Sequence, residues 1–199
     1  ENNQWAVIVG NGYNSSGGKA VLYVLFMAGG EDGTWTVGTD YIKLVADSGT
    51  GNGLSTPTPF DKNGNGLVDV IYAGDIKGNL WKFDFDNISA SSWSSSKLFS
   101  AVNGDNKVQP LVKRPALERH PLGGYMVTIA TGKFVEDGDK TNIDVQSMYG
   151  IWDKPSAGAV TGRTQLTQQT FTAATGGRTL SANTVDWNTK RGWYVDFSL

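Results

Sequence analysis

The chain has 199 residues, no cysteine, one histidine and a formal net charge of −2, with 39% hydrophobic and 18% charged residues. That balance excludes a mainly disordered tail, a disulfide or thiolate–metal scaffold, and the basic stripe that nucleic acid requires. Its 26 glycines, with 7 Trp, 7 Tyr and 8 Phe, point to short strands joined by tight turns.

In chain order, residues 5–9 (Trp-Ala-Val-Ile-Val) read as a strand, 10–18 as a Gly/Asn turn and 20–26 as a second strand. The longest apolar run, 20–28, has strand length and falls short of the roughly 20 residues of a spanning helix. Residues 68–73, the turn 74–79 and residues 80–85 repeat the pattern, as do 125–130, a longer polar loop from Thr131, and 148–153. Residues 193–197 read as a further strand, and the Ser/Gly/Thr-rich stretches 89–96 and 155–177 as connecting loops or outer-strand decoration. No 3.6-residue periodicity is sustained, so little helix is expected.

Aligning Gly12, Gly74 and Gly132 makes the three hairpins an internal repeat. Apolar runs without strict alternation fit strands covered on both faces. Two architectures accommodate this: a β-sandwich with three hairpins, or an all-β partial propeller. The second predicts about three blades with insertions, an arc of a larger ring. No internal domain boundary is evident, so residues 1–199 are expected to be a segment of one domain. Residues 1–4 run into the first strand without a signal peptide, and the strand-like ends read as a segment of something larger.

The sharpest motif is Asp61-Lys62-Asn63-Gly64-Asn65-Gly66-Leu67-Val68-Asp69. Ca²⁺ takes six to eight hard oxygens, and alternate residues of a tight loop aim at one centre. The spacing assigns the side chains of Asp61, Asn63, Asn65 and Asp69 and the carbonyl of Leu67 as ligands, with Gly66 at the bend. Position 12 is Tyr72 in place of the helical loop's Glu, and both flanks read as extended, so the loop joins strands. With two carboxylates the affinity is expected toward that of extracellular modules. The alternative is an Asn/Gly-rich turn that holds no ion.

Residues 53–59, the Asp61–Asp69 loop and residues 72–84 (Tyr-Ala-Gly-Asp-Ile-Lys-Gly-Asn-Leu-Trp-Lys-Phe-Asp) resemble the C-terminal propeller of the type IV pilus tip-associated PilC/PilY family. Residues 5–14, 146–153 and 192–196 are similar to other stretches of that family, so the resemblance covers nearly the whole chain in order. It implies a quinoprotein-like β-propeller that continues past Leu199, and a long N-terminal adhesive region outside this sequence. It implies a Ca²⁺ ligand set at Asp61, Asn63, Asn65, Leu67 and Asp69. The family often carries Asp at the third and fifth loop positions, where this chain has Asn63 and Asn65. It further implies a non-enzymatic cell-surface protein at the pilus tip and outer membrane. Its partners would be pilins, minor pilins, host-cell receptors and the rest of the same propeller, and calcium occupancy would act on extension, retraction, twitching and adhesion.

Two other classes share some features. Residues 74–81 also look like a quinoprotein dehydrogenase repeat, although the vicinal cysteines such enzymes use are not in this segment. A carbohydrate-binding propeller with structural calcium is the other. The acidic loop from Glu136 to Asp144 reads as a solvated loop or a second cation site. His120 sits in a turn and is not expected to be catalytic. Trp81, Trp152 and Trp193 are expected at one place in each repeat, packing the blades in preference to a sugar platform. Lys113-Arg114 and Lys190-Arg191 read as solvated pairs.

Overall fold

Residues 4–197 are described by a computed structural model; the first three residues of the start read at 1–4, and the continuation past Leu199, lie outside them. The first sheet is β1 (Ala6–Gly10), β2 (Ala20–Phe26) and β3 (Tyr41–Asp47), antiparallel in that order. The second is β4 (Thr58–Phe60), β5 (Val70–Gly74), β6 (Asn79–Asp84) and β7 (Ser94–Ser100). The third begins with β8 (Ala116–Arg119), β9 (Tyr125–Ala130) and β10 (Ser147–Asp153). An excursion then forms β11 (Thr167–Gln169) and the ribbon of β12 (Phe171–Ala174) and β13 (Gly177–Leu180). The chain returns as β14 (Gly192–Asp196), antiparallel to β10 and flanked by β11 in parallel. This is an all-β propeller arc, and among the described residues only three short 3₁₀ turns interrupt it.

The core explains the unbroken apolar run in β5, whose five residues are all buried. Val70 and Tyr72 belong to one apolar cluster with Val127, Ile129 and Ile151 of the third sheet. Ile71 and Ala73 belong to another with Leu22, Val24 and Phe26 of the first. The second sheet is therefore covered on both faces, and alternation has no polar side to record. In β1 the pattern alternates, with Val7 and Val9 exposed, so the buried run expected at residues 5–9 is instead one-sided.

Each central hairpin is closed by a polar residue placed at the end of its first strand. The Asn11 N–H donates to the Val21 carbonyl, and Asn11 Oδ1 accepts from the Val21 N–H, both at 3.0 Å. Asp75 repeats this with Asn79 (3.0 and 2.8 Å), and Thr131 with Ser147 (2.8 Å each). Asn11, Asp75 and Thr131 are therefore the equivalent positions. The alignment on Gly12, Gly74 and Gly132 is corrected by this register. Gly74 ends its strand and corresponds to Gly10 and Ala130, whereas Gly12 and Gly132 lie beyond theirs.

Linkers bind the sheets together at the same place. The Gly12 N–H donates to the Leu54 carbonyl at 2.9 Å, and the Gly132 N–H to the Pro110 carbonyl at 2.8 Å. Leu54 and Leu111, on these two linkers, are fully buried. The close passage demands glycine: a Cβ on Gly10 would stand 2.3 Å from the Ser55 carbonyl oxygen, and one on Gly74 2.2 Å from that of Leu111.

The stretches read as connectors are partly strand. The Ser-rich 94–100 segment forms β7, in which Leu98 and Phe99 are buried while the serines stay largely at the surface. Register also separates the tryptophans. Tyr23, Trp81 and Tyr149 share one place, opposite Val9, Ala73 and Ile129. Trp152 lies opposite Met126, and Trp193 on β14 lies opposite Gly150. The expectation of one tryptophan position per repeat is thus replaced by one aromatic position.

Candidate metal centre

The loop from Asp61 to Asp69 joins β4 to β5, which are antiparallel neighbours with Phe60 opposite Val70. Strands so paired need a tight return, and Gly64 and Gly66 supply it with φ of +81° and +85°, a region that side chains disfavour. Asx hydrogen bonds then wind the loop. Asp61 Oδ1 accepts from the Asn63 and Gly64 N–H groups at 3.1 and 2.6 Å, and Oδ2 accepts from Gly66 N–H at 2.6 Å. Asn63 Oδ1 accepts from Asn65 N–H at 3.0 Å, and Asn65 Oδ1 from Leu67 N–H at 2.8 Å.

The far end closes on the near end. Asp69 Oδ2 accepts from Lys62 N–H at 2.6 Å, and Asn63 Nδ2 stands 3.5 Å from Asp69 Oδ1. Asp69 is buried, its N–H donating to the Phe60 carbonyl at 3.0 Å and its carbonyl accepting from Phe85 N–H at 2.8 Å. Asp61 and Asp69, eight residues apart in sequence, are thus both bonded to the backbone of one short loop. Hydrogen bonds from the loop backbone, that of Gly66 first, hold the Asp61 carboxyl below the usual carboxylate range.

This donor set fits a hard cation. Asp61 Oδ2, Asn63 Oδ1, Asn65 Oδ1 and Asp69 Oδ2 each accept one backbone N–H and keep a further lone pair, and the loop supplies oxygens only, without nitrogen or sulfur ligands. Among the described residues no group of three or more His, Asp or Glu side chains gathers to hold a metal. A cation here would draw on two carboxylates, with amide and carbonyl oxygens completing the set.

Two neighbours of the loop, Asp86 and Arg119, carry no signal in the sequence. Lys62 pairs with Asp86, just beyond β6. Arg119, at the end of β8, donates through Nη2 to the Lys62 carbonyl at 2.7 Å. Its guanidinium also lies over the Phe60 ring, 5.6 Å from the centroid. Sequence separations of 24 and 57 residues hide these contacts from any local pattern.

The remaining candidates resolve into scaffold. In the acidic loop, Lys133 Nζ lies 2.6 Å from Asp139 and 2.9 Å from Glu136, so a lysine ammonium already pairs with two of the carboxylates of the alternative second cation site. Hydrogen bonds, that from Lys133 foremost, depress the Asp139 carboxyl to about 2. His120 stacks on Trp152 at 4.2 Å and meets Trp187 edge-on at 4.4 Å, and desolvation lowers its pKa. The Asp75 carboxylate is fully buried and accepts from Asn79, Trp81 and Asn52. The residues shared with quinoprotein repeats are thus spent on holding the hairpin. Of the basic pairs, Arg191 donates to the Trp152 carbonyl at 3.0 Å and Arg114 to Thr58 Oγ1 at 3.3 Å, so both are engaged with the scaffold.

A family model described as the PilY1 beta-propeller domain matches residues 1–184. The type IV pilus biogenesis factor PilY1 of Pseudomonas aeruginosa (strain PAO1) is 35% identical over 240 residues, covering 98% of this chain and 20% of that protein. A PilY1 homolog of Xylella fastidiosa is 32% identical, covering 98% of this chain and 14% of its own length. The crystal structure of the P. aeruginosa PilY1 C-terminal domain superposes with a TM-score of 0.83 at 34% identity, over 98% of this chain and 48% of that one. This chain therefore spans a fifth or less of these two curated relatives.

Proposed function

The chain belongs to the PilY1 beta-propeller family, and on that premise we propose that it is a calcium-binding, non-enzymatic propeller segment of a type IV pilus biogenesis factor at the bacterial cell surface. The observation that carries the reading is the self-closed loop in which the Asp61 carboxylate accepts from the Gly66 N–H and the Asp69 carboxylate from the Lys62 N–H. Asp61, Asn63, Asn65 and Asp69 would hold Ca²⁺ through side-chain oxygens, and Leu67 through its carbonyl.

Bound Ca²⁺ supplies charge neutralisation between the two carboxylates. The chain's own residues do the rest. Asp69 leads directly into Val70, the first residue of the fully buried β5, so the state of its carboxylate bears on the order of a core strand. Two carboxylates suit a weak site whose occupancy follows external calcium. In the whole protein that occupancy would act on pilus extension and retraction, twitching and adhesion. Pilins, minor pilins and host-cell receptors would be the partners, and the remainder of the same propeller the structural neighbour.

The test replaces Asp69 with Ala in the full-length protein and scores surface pili and twitching against wild type. Reduced or calcium-insensitive motility is expected. A variant that folds, loses calcium and behaves as wild type would leave the ion a structural staple and overturn the regulatory reading.

A further inference from the structure

We infer that Arg119 is a positioning residue that couples the Asp61–Asp69 loop to the third sheet, so that cation occupancy is felt in β8 and β9 as well as in the sheet that supplies the ligands. The inference rests on the calcium reading of the loop and adds a route out of it.

The route is a closed circuit of named contacts. Arg119 Nη2 donates to the Lys62 carbonyl at 2.7 Å. The Lys62 N–H donates to Asp69 Oδ2 at 2.6 Å, and the Asp69 N–H to the Phe60 carbonyl at 3.0 Å. The Phe60 ring returns the path to the third sheet. It lies under the Arg119 guanidinium and meets Tyr125 edge-on at 5.0 Å. Arg119 and Tyr125 are themselves cross-strand partners between β8 and β9. One register pair of the third sheet therefore grips the entrance of the loop on either side of Asp61, at Lys62 and at Phe60.

Lys62 occupies the pivotal place in this circuit. It follows the first ligand, Asp61, and its own N–H is bonded to the last, Asp69. A cation drawing on the Asp69 and Asp61 carboxylates bears on the bonds of the Lys62 and Asn63 N–H groups, and the Asn63 N–H shares its peptide plane with the Lys62 carbonyl that Arg119 holds. Arginine suits the task because its planar fork donates a hydrogen bond while its face stacks on an aromatic ring, which a lysine ammonium does not reproduce. Linkage then runs both ways: if occupancy tightens the grip of Arg119, Arg119 strengthens cation binding by the same factor.

The experiment uses the full-length protein, with calcium alone as the probe. Calorimetry on wild type, Arg119→Lys and Arg119→Ala measures affinity, and hydrogen exchange with and without calcium follows the peptide covering residues 116–130. Wild type is expected to bind calcium and to exchange more slowly across 116–130 when loaded. Arg119→Ala is expected to bind on the order of 5-fold more weakly, the lower end of common coupling factors, and to confine calcium protection to residues 61–74. Arg119→Lys should fall between the two. Wild type that binds calcium while 116–130 stays indifferent overturns the coupling and leaves the metal loop standing. Wild-type affinity in Arg119→Ala, or third-sheet protection surviving that substitution, also overturns it. Absence of calcium binding in wild type overturns both readings.

Discussion

The Tyr72 hydroxyl, in the middle of β5, donates to Asp153 Oδ2 at the end of β10 at 2.6 Å. Lys82 Nζ reaches the same oxygen at 2.7 Å, so the second sheet places a phenol and an ammonium on one buried carboxylate of the third. Desolvation, with Asp153 adding to it, raises the Tyr72 pKa and keeps the phenol a donor. Tyr72→Phe is expected to cost about 1.5–3 kcal/mol, the range for a hydrogen bond to a charged group. Asp153→Ala should cost more, about 3–5 kcal/mol, because Lys82 and Tyr72 both lose their partner. Denaturant unfolding of the two variants measures the order; wild-type stability in both would show that the contact does not hold the sheets together.

On the proposed calcium reading, binding needs both carboxylates of the loop. Asp61→Ala removes the acceptor of three backbone N–H groups, and Asp69→Ala the acceptor of Lys62 N–H. Either substitution is expected to abolish calcium heat in calorimetry, and a chelator should lower the Tm of wild type alone. Undiminished binding in both variants would remove the assignment.

The acidic loop carries a pH signature. Its Asp139 carboxyl is held at about 2 against an ordinary 3.8, mainly by the Lys133 ammonium. Because the folded value is depressed, its stabilising effect is complete above the unfolded value near 4 and is lost as pH falls through about 2. An NMR titration of the carboxyl should have its midpoint near 2 in wild type and shift upward in Lys133→Ala. A wild-type midpoint near 4 would mean that the ion pair does not form in solution.

Gly10→Ala and Gly74→Ala drive a methyl into a linker carbonyl, at 2.3 and 2.2 Å. Each is expected to destabilise by about 1–3 kcal/mol, as overpacking does. Gly17→Ala is the control, since an added Cβ there meets nothing within 4 Å. Thermal unfolding of the three variants checks the contrast, which would fail if Gly74→Ala melted with wild type.

Local chemistry made the three hairpins and the Asp61–Asp69 loop legible in the chain itself. The run at 125–130 matches β9 in full, and 80–85 falls one residue from β6. Alternate Asp and Asn with Gly66 specify a loop through bonds spanning two to five residues, which any reading of neighbours can find. Tertiary structure decided what neighbours do not encode. β7 forms from a Ser-rich stretch because Leu98 and Phe99 have a core to enter, and β8 exists by pairing with β9. The equivalence of Asn11, Asp75 and Thr131 appears only through strand register, which a glycine alignment misplaces. Arg119 reaches Lys62 across 57 residues and Tyr72 reaches Asp153 across 81. Such contacts are chosen when sheets pack face to face, and a side chain's partner is then set by its place in space, not by its place in the chain.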